Sequence, residues 1–247
     1  QFQTTNPVGY VKYTLIVYNS TVMPGNVNIT YSYGVHLSGI AYDPNNGYIY
    51  VSDCASNIVY VINSFNNRVI NNITVGNSPQ SIAYDPKNGY LYVANAHSCT
   101  VSVINPLTNK VIANITVGED PWSIVYDPRN GYIYVVNRGS NTVSVINPTT
   151  NKVIANITVG YNPVFILYDP ENGYLYVSDS GSNTISVINP STNKVIANIS
   201  SMGIGTDGTA YDPENGYLYV TNYWSDTVSV INPLTNKVIA NITVGSR

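Results

Sequence analysis

The tripeptide Tyr-Asp-Pro recurs at Tyr42, Tyr84, Tyr126, Tyr168 and Tyr211, in steps of 42 residues with one step of 43. Each copy continues into Asn-Gly-Tyr, at Asn46, Asn88, Asn130, Asn172 and Asn215, then into Val-Ile-Asn, and closes on Asn-Ile-Thr or Asn-Ile-Ser. A repeat of this period means that one supersecondary unit is copied, and that copies must stack to bury a common core. The copy from Pro79 to Gly118 shows what the unit is. Gln80–Tyr84, Tyr90–Ala94, Thr100–Ile104 and Lys110–Val117 read as four short strands, rich in Tyr, Val, Ile and Thr. Asp85-Pro86-Lys87-Asn88-Gly89 and Asn105-Pro106-Leu107-Thr108-Asn109 read as turns, with Pro presetting φ and Asn-Gly supplying positive φ. Connections this short join antiparallel neighbours only. No segment of ten or more residues carries a helical period.

A four-stranded unit of this size cannot cover both of its own faces. Units arranged around an axis cover each other, which predicts an all-β chain folded as a β-propeller of four-stranded antiparallel blades. Five complete repeats are present. In addition, Leu15–Thr30 aligns without gaps on Val101–Thr116, so the N-terminal stretch supplies the outer two strands of a further blade. The whole chain, 1–247, is read as one propeller domain: 1–14 an off-pattern arm or strand, 15–31 a half blade, 32–247 the five repeats. Three closures satisfy this pattern. The natural chain continues and completes a six-bladed or larger ring; a second subunit completes the blade by strand addition; or five blades close and residues 1–31 pack outside.

Composition excludes several classes. Charged residues are 9% of the chain and the formal net charge is −3, well under the roughly 25% charged residues of an average domain. The clustered Lys and Arg of a nucleic-acid binder are missing. Apolar runs are too short for a membrane-spanning helix.

The segment Tyr219-Val220-Thr221-Asn222 and its variants at Tyr50, Tyr92, Tyr134 and Tyr176 resemble the repeats of the YVTN-type β-propeller family. Downstream, Thr-Val-Ser-Val-Ile-Asn and Thr-Asn-Lys-Val-Ile-Ala resemble those of archaeal surface-layer-associated proteins. The resemblance covers roughly residues 15–247. It implies a propeller fold and an extracellular, cell-surface location, with members mostly of seven blades.

Candidate functional residues follow from the two ends of the blades. The Asp-Pro-x-Asn-Gly and Asn-Pro-x-Thr-Asn turns share one face and hardly vary. The opposite face carries the second-to-third loops and the connections between blades, which diverge between copies. Loops on a rigid scaffold commonly carry function, so His97, Trp122, Arg138, Tyr161, Asp179, Tyr223 and Trp224 form the candidate binding face. The alternative is unconstrained drift of repeat loops. Asp43, Asp85, Asp127, Asp169 and Asp212 are read as turn-capping residues, because five identical carboxylates lack the two contrasting environments of an acid/base pair. Sequons at Asn19, Asn28, Asn72, Asn114, Asn156, Asn198 and Asn241 are candidate N-glycosylation sites, six of them on the outermost strand. Cys54 and Cys99, an even pair in a chain read as exported, are expected to form a disulfide; two free thiols is the other reading.

No catalytic motif, metal-ligand spacing or cofactor signature is found. The leading expectation is therefore a glycosylated extracellular interaction module, not an enzyme, without cofactor, taking a protein or glycan at the cell surface on its loop face. One alternative is a metal-dependent hydrolase or lactonase-like propeller, disfavoured because first-strand positions are mostly Ser, Ile, Ala and Leu. The other is a subunit of a surface polymer completed by strand exchange.

Overall fold

The turn motif organises each repeat. In the computed structural model, which describes residues 36–200 and 202–245, the Asp of Asp-Pro-x-Asn-Gly accepts a backbone N–H two residues on. Oδ1 of Asp43, Asp85, Asp127, Asp169 and Asp212 lies 2.8–2.9 Å from that nitrogen in each copy. The Gly N–H returns to the Asp carbonyl, as in Gly89 to Asp85 at 2.8 Å, and each of these glycines has φ between 72° and 77°. The Asn before it satisfies a deeply buried tyrosine. Nδ2 of Asn46, Asn88, Asn130 and Asn172 donates to the hydroxyls of Tyr50, Tyr92, Tyr134 and Tyr176 at 2.8–3.0 Å. Those four rings are 0% exposed, and a buried phenol left without a partner would be costly. The turn thus sets both the hairpin and the position of the largest core side chain.

Among the described residues twenty strands result, grouped in five antiparallel sheets of four consecutive strands. Blade 1 holds β1 (Leu37–Asp43), β2 (Tyr48–Asp53), β3 (Ile58–Asn63) and β4 (Arg68–Thr74). Blade 2 holds β5 (Pro79–Asp85), β6 (Tyr90–Asn95), β7 (Thr100–Asn105) and β8 (Lys110–Thr116). Blade 3 holds β9 (Pro121–Tyr126), β10 (Ile133–Asn137), β11 (Thr142–Asn147) and β12 (Lys152–Thr158). Blade 4 holds β13 (Pro163–Tyr168), β14 (Leu175–Asp179), β15 (Thr184–Asn189) and β16 (Lys194–Ile199). Blade 5 holds β17 (Thr206–Asp212), β18 (Tyr217–Asn222), β19 (Thr227–Asn232) and β20 (Lys237–Thr243). One single-turn 3-10 helix, Ala96–Ser98, interrupts the β6–β7 loop.

The register slips once between third and fourth strands of every blade, at Val103/Ile104 in blade 2 and at the equivalent pair elsewhere. Ile104 then pairs with Val111 and Val103 with Ala113, leaving Ile112 as an unpaired bulge residue. That is why Ile70, Ile112, Ile154, Ile196 and Ile239 are each 45–49% exposed at the rim.

Sheets pack face to face in chain order, and the core consists of the layers between them. Tyr92, Ala94, Val101, Val103 and Ile115 of blade 2 meet Ile124, Ile133, Val135 and Ile146 of blade 3. Matching layers join blades 1 and 2, 3 and 4, and 4 and 5. First strands are neighbours of one another, β1 with β5, β5 with β9, β9 with β13 and β13 with β17, and so line the inside of the arc. The architecture is all-β and propeller-like, as the repeat predicts. The predicted half blade at 15–31, with Asn19 and Asn28, lies outside the described residues.

Neighbouring turns also clasp. Arg129 Nη2 donates to the carbonyls of Pro170 and Glu171 at 2.7 and 2.8 Å, and its guanidinium lies where a Cβ on Gly173 would be. Gly173 has φ of +77°, a region that costs an L-residue about 1–2 kcal/mol. Gly173→Ala is expected to lower stability by about 1–2 kcal/mol and to release this clasp, as read in urea denaturation.

Candidate functional site

The variable face is built from second-to-third loops that hold the incoming connection of their own blade. In blade 3, Arg138 N donates to Asp120 O (2.9 Å) and Gly139 N to Glu119 O (3.0 Å). In blade 5, Tyr223 N donates to Gly205 O (2.9 Å) and Trp224 N to Ile204 O (3.0 Å). Blades 2 and 4 repeat the pair. Side chains add two further ties. Ser98, Ser140, Ser182 and Ser225 Oγ accept a backbone N–H of the connection, at 2.6–3.1 Å. Asn57, Asn141 and Asn183 Oδ1 accept one from the connection leading to the next blade, at 2.7–2.8 Å. These asparagines stand at φ of 55–59°, which Asn tolerates better than most residues. The loops of this face are therefore pinned by backbone and side-chain hydrogen bonds. The Ser-Asn-Thr and Ser-Asn-Ile triplets at these places were the sequence signal for this device, although they were not among the predicted site residues.

On this frame stand most of the predicted binding residues. The Arg138 guanidinium carbon lies 3.8 Å from the centroid of the Trp122 ring, while its Nε donates to Asp120 Oδ2 at 2.7 Å. The ion pair is partly exposed, which limits it to about 1 kcal/mol or less. Its value is geometric, since it holds the cation over the indole. Tyr223 and Trp224 pack edge to face with centroids 4.8 Å apart. Trp224 lies against Gly205, and the Tyr161 ring against Gly181, where a Cβ would collide. Tyr161 and Trp224 remain 67% and 65% exposed. His97 is exposed on the single-turn helix.

Asp179 is a correction. It is 0% exposed and faces the interior of blade 4, so it is no part of the binding surface. It ends β14, where Asn95, Asn137 and Asn222 end the second strands of blades 2, 3 and 5. In those blades Asn Nδ2 donates to a buried Ser (102, 144 or 229), whose hydroxyl donates to Oδ1 of Asn114, Asn156 or Asn241, all at 2.7–2.9 Å. In blade 4, Ser186 Oγ sits 2.7 Å from Asp179 Oδ2 and 3.1 Å from Asn198 Oδ1. A single hydroxyl proton cannot serve both acceptors. Burial, opposed in part by the Ser186 contact, raises the Asp179 carboxyl to about 6.

The predicted disulfide is also corrected. Cys54 and Cys99 are free thiols, both half-buried. Cys54 opens its loop directly after β2, with its N–H on His36 O. Cys99 sits at the far end of the next loop, in the left-handed slot (φ 52°) that Asn57, Asn141 and Asn183 fill in blades 1, 3 and 4 and Asp226 in blade 5, and its sulfur faces the Ala96 carbonyl of its own loop. The three-residue offset thus sends the two thiols into different local environments. The sequon residues Asn72, Asn114, Asn156, Asn198 and Asn241 are exposed on the fourth strands.

On the opposite face, a cleft between the turns of blades 4 and 5 is lined by Asp169, Glu171 and Glu214 among others. There the Tyr211 hydroxyl donates to Glu171 Oε2 at 2.7 Å, and this carboxylate pushes the phenol up to about 12. Among the described residues, no three His, Cys, Asp or Glu side chains converge in a way that would hold a metal ion. The described residues therefore offer no ligand set for a metal ion, and no chemical step is assigned to one. No helix among them is long and apolar enough to cross a membrane.

A family model described as Arylesterase matches residues 6–110. The match spans less than half of the chain, so it stands as a similarity. No curated protein matches the chain. Among solved structures, hydrazine synthase from Kuenenia stuttgartiensis is similar, with a TM-score of 0.72 and 22% identity over 88% of this chain. The chain spans 66% of the length of that chain, and the likeness concerns the fold alone. The Arylesterase match overturns the expectation that the chain is not an enzyme. It points instead to an esterase-type propeller, the reading that the first-strand residues had disfavoured. First-strand composition was a poor guide because it tests only for carboxylates and imidazoles near the axis, whereas the similarity takes in the whole of blade 1 and most of blade 2.

Proposed function

We propose that the chain is, or is part of, a β-propeller hydrolase of esterase or lactonase type, which takes its substrate on the variable loop face. The observation that carries this reading is the Arylesterase similarity over residues 6–110. The loop face supports it chemically. Exposed aromatic rings held by glycine contacts offer flat apolar surface to an aryl or acyl group, and Arg138 offers a cation beside Trp122. The matched span also holds both histidines, His36 and His97, and imidazole is the side chain whose ordinary pKa suits general-base chemistry near neutral pH.

The test is hydrolysis of an aryl acetate and of a simple lactone by purified full-length protein, with calcium added and with chelator. Turnover above the buffer rate is expected, falling at least tenfold in one of His36→Ala and His97→Ala, about 1.4 kcal/mol of barrier. A folded protein with no turnover under either condition overturns the reading.

The five exposed sequons favour a further, compatible proposal, in which the rim carries N-linked sugars and the protein works outside the cell, where its loop face also meets a protein or glycan. Mass spectrometry of native protein showing unmodified Asn72, Asn114, Asn156, Asn198 and Asn241 would remove it.

A further inference from the structure

The third residue of the Asp-Pro-x-Asn-Gly turn reaches across to the turn of the next blade. In blades 1 to 4 it is Asn45, Lys87, Arg129 and Glu171. Asn45 Nδ2 donates to the Tyr84 hydroxyl at 2.6 Å. Lys87 Nζ stands 3.7 Å from where a Cβ on Gly131 would be, and the Arg129 guanidinium fills that place at Gly173. Glu171 Oε2 takes the corresponding position, 3.5 Å from a Cβ on Gly216. The group that crosses from blade 2 to 3 and from blade 3 to 4 is thus a cation, and the one that crosses from blade 4 to 5 is a carboxylate.

A cation suits this place because the next turn offers it backbone carbonyls. Arg129 Nη2 bridges Pro170 O and Glu171 O. The equivalent carbonyls of blade 5 belong to Pro213 and Glu214, and neither accepts a hydrogen bond among the described residues. Both residues line a cleft of about 240 Å³ together with Asp169, Glu171 and Tyr217, and no Lys or Arg is among its lining residues. A second observation points the same way. Asp169 is 0% exposed; its Oδ1 accepts the Glu171 N–H at 2.8 Å, while its buried Oδ2 has no hydrogen-bond partner. A buried carboxylate oxygen left unpaired is costly. The cation near it, Arg129, donates instead to the two carbonyls of that turn. Asp43 and Asp127 leave the same oxygen free; here it lines an open cleft beside the carboxylates of Glu171 and Glu214. These acidic groups do not converge in a way that would hold a metal ion. Acceptors spread in this way match a larger cation with several N–H donors.

We propose that the cleft between the turns of blades 4 and 5 binds the guanidinium of an arginine, free or within a polypeptide, as Arg129 binds the turn of blade 4. Guanidinium presents five N–H donors in a rigid plane. Those donors meet the carbonyls of Pro213 and Glu214, the carboxylates of Glu171 and Glu214, and Asp169 Oδ2. The site lies on the turn face, opposite the loop face assigned to substrate, and is independent of the hydrolase reading.

The test is calorimetric titration of the full chain at low salt with N-acetylarginine amide, with its neutral isostere N-acetylcitrulline amide, and with a Gly-Gly-Arg-Gly-Gly peptide. Saturable binding of the arginine amide and the peptide is expected, with none of the citrulline amide. A peptide that binds more tightly than the amide identifies a polypeptide source, and equal affinities a small molecule. Glu171→Gln and Glu214→Gln are each expected to weaken binding about fivefold, the size of effect that an exposed charge commands. No saturation at millimolar arginine amide, equal binding of the citrulline amide, or affinity unchanged in both variants overturns the proposal. Glu171→Arg gives an independent reading, because it supplies from the chain the cation that Arg129 supplies one blade earlier. It is expected to abolish binding and to raise the melting temperature by roughly 2–4 °C. A Glu171→Arg protein that melts no higher than the parent, or that still binds the arginine amide, overturns the proposal.

Discussion

Tyr134→Ala is expected to remove about 3–5 kcal/mol of stability, among the largest losses available to one substitution in this chain. Tyr134 is 0% exposed and fills the layer between blades 3 and 4, against Val136, Val143, Val145 and Ile157 on one side and Ile166, Leu175, Val177 and Ile188 on the other. Both walls are strands tied to their sheets, so the gap cannot collapse. The truncation also takes away the hydroxyl that accepts from Asn130 Nδ2 at 2.8 Å, and that amide organises the turn before it. Tyr134→Phe separates the two effects. It keeps the ring and loses only the hydrogen bond, for about 1 kcal/mol. Urea denaturation of both variants measures this. Equal losses would mean that the hydroxyl, and not the packing, sustains the layer.

Asp179→Asn is expected to stabilise the protein at neutral pH by about 3 kcal/mol. The folded carboxyl is raised to about 6 from its ordinary 3.8, chiefly by burial. The folded state therefore binds the proton more tightly than the unfolded chain does. The stability associated with that proton is fully present below about pH 4, declines as pH rises, and is gone above about 6. Asn at this place does not titrate. It would donate to Ser186, free the Ser186 hydroxyl for Asn198, and restore the relay of blades 2, 3 and 5. Denaturation at pH 4.5 and 7.5 should show a smaller loss of stability on raising the pH in Asp179→Asn than in the parent. The comparison must be a difference, because burial also raises the carboxyls of Asp85, Asp127 and Asp169. Parallel pH profiles would mean that Asp179 is already ionised and satisfied.

Most of the scaffold was legible in the residues. The strand expected at Tyr90–Ala94 is β6, Tyr90–Asn95, and the one expected at Lys110–Val117 is β8, Lys110–Thr116. The turn aspartates cap backbone amides as their place before Pro implied. These are local matters, decided within five residues by φ preferences and short side-chain bonds. The candidate face was legible only in part. Trp122, Arg138, Tyr161, Tyr223 and Trp224 do stand on it, because loop position follows from strand count. Asp179 does not, because the last residue of a strand and the first of a loop are one position apart in sequence but point to opposite environments.

Local order in this chain is thus written in the 42-residue repeat: four strands, two kinds of turn, and which end of each blade varies. Whether a given side chain meets water depends on what another blade places over it, and that was decided only in three dimensions. Ile115 and Ile242 occupy the same position in the same Asn-Ile-Thr motif, yet one is 5% and the other 45% exposed. Cys54 and Cys99 share a loop type and still point to different partners. Burial and pairing are non-local quantities, set by stacking and by a blade's place in the stack, and a repeat reads alike wherever it stands there.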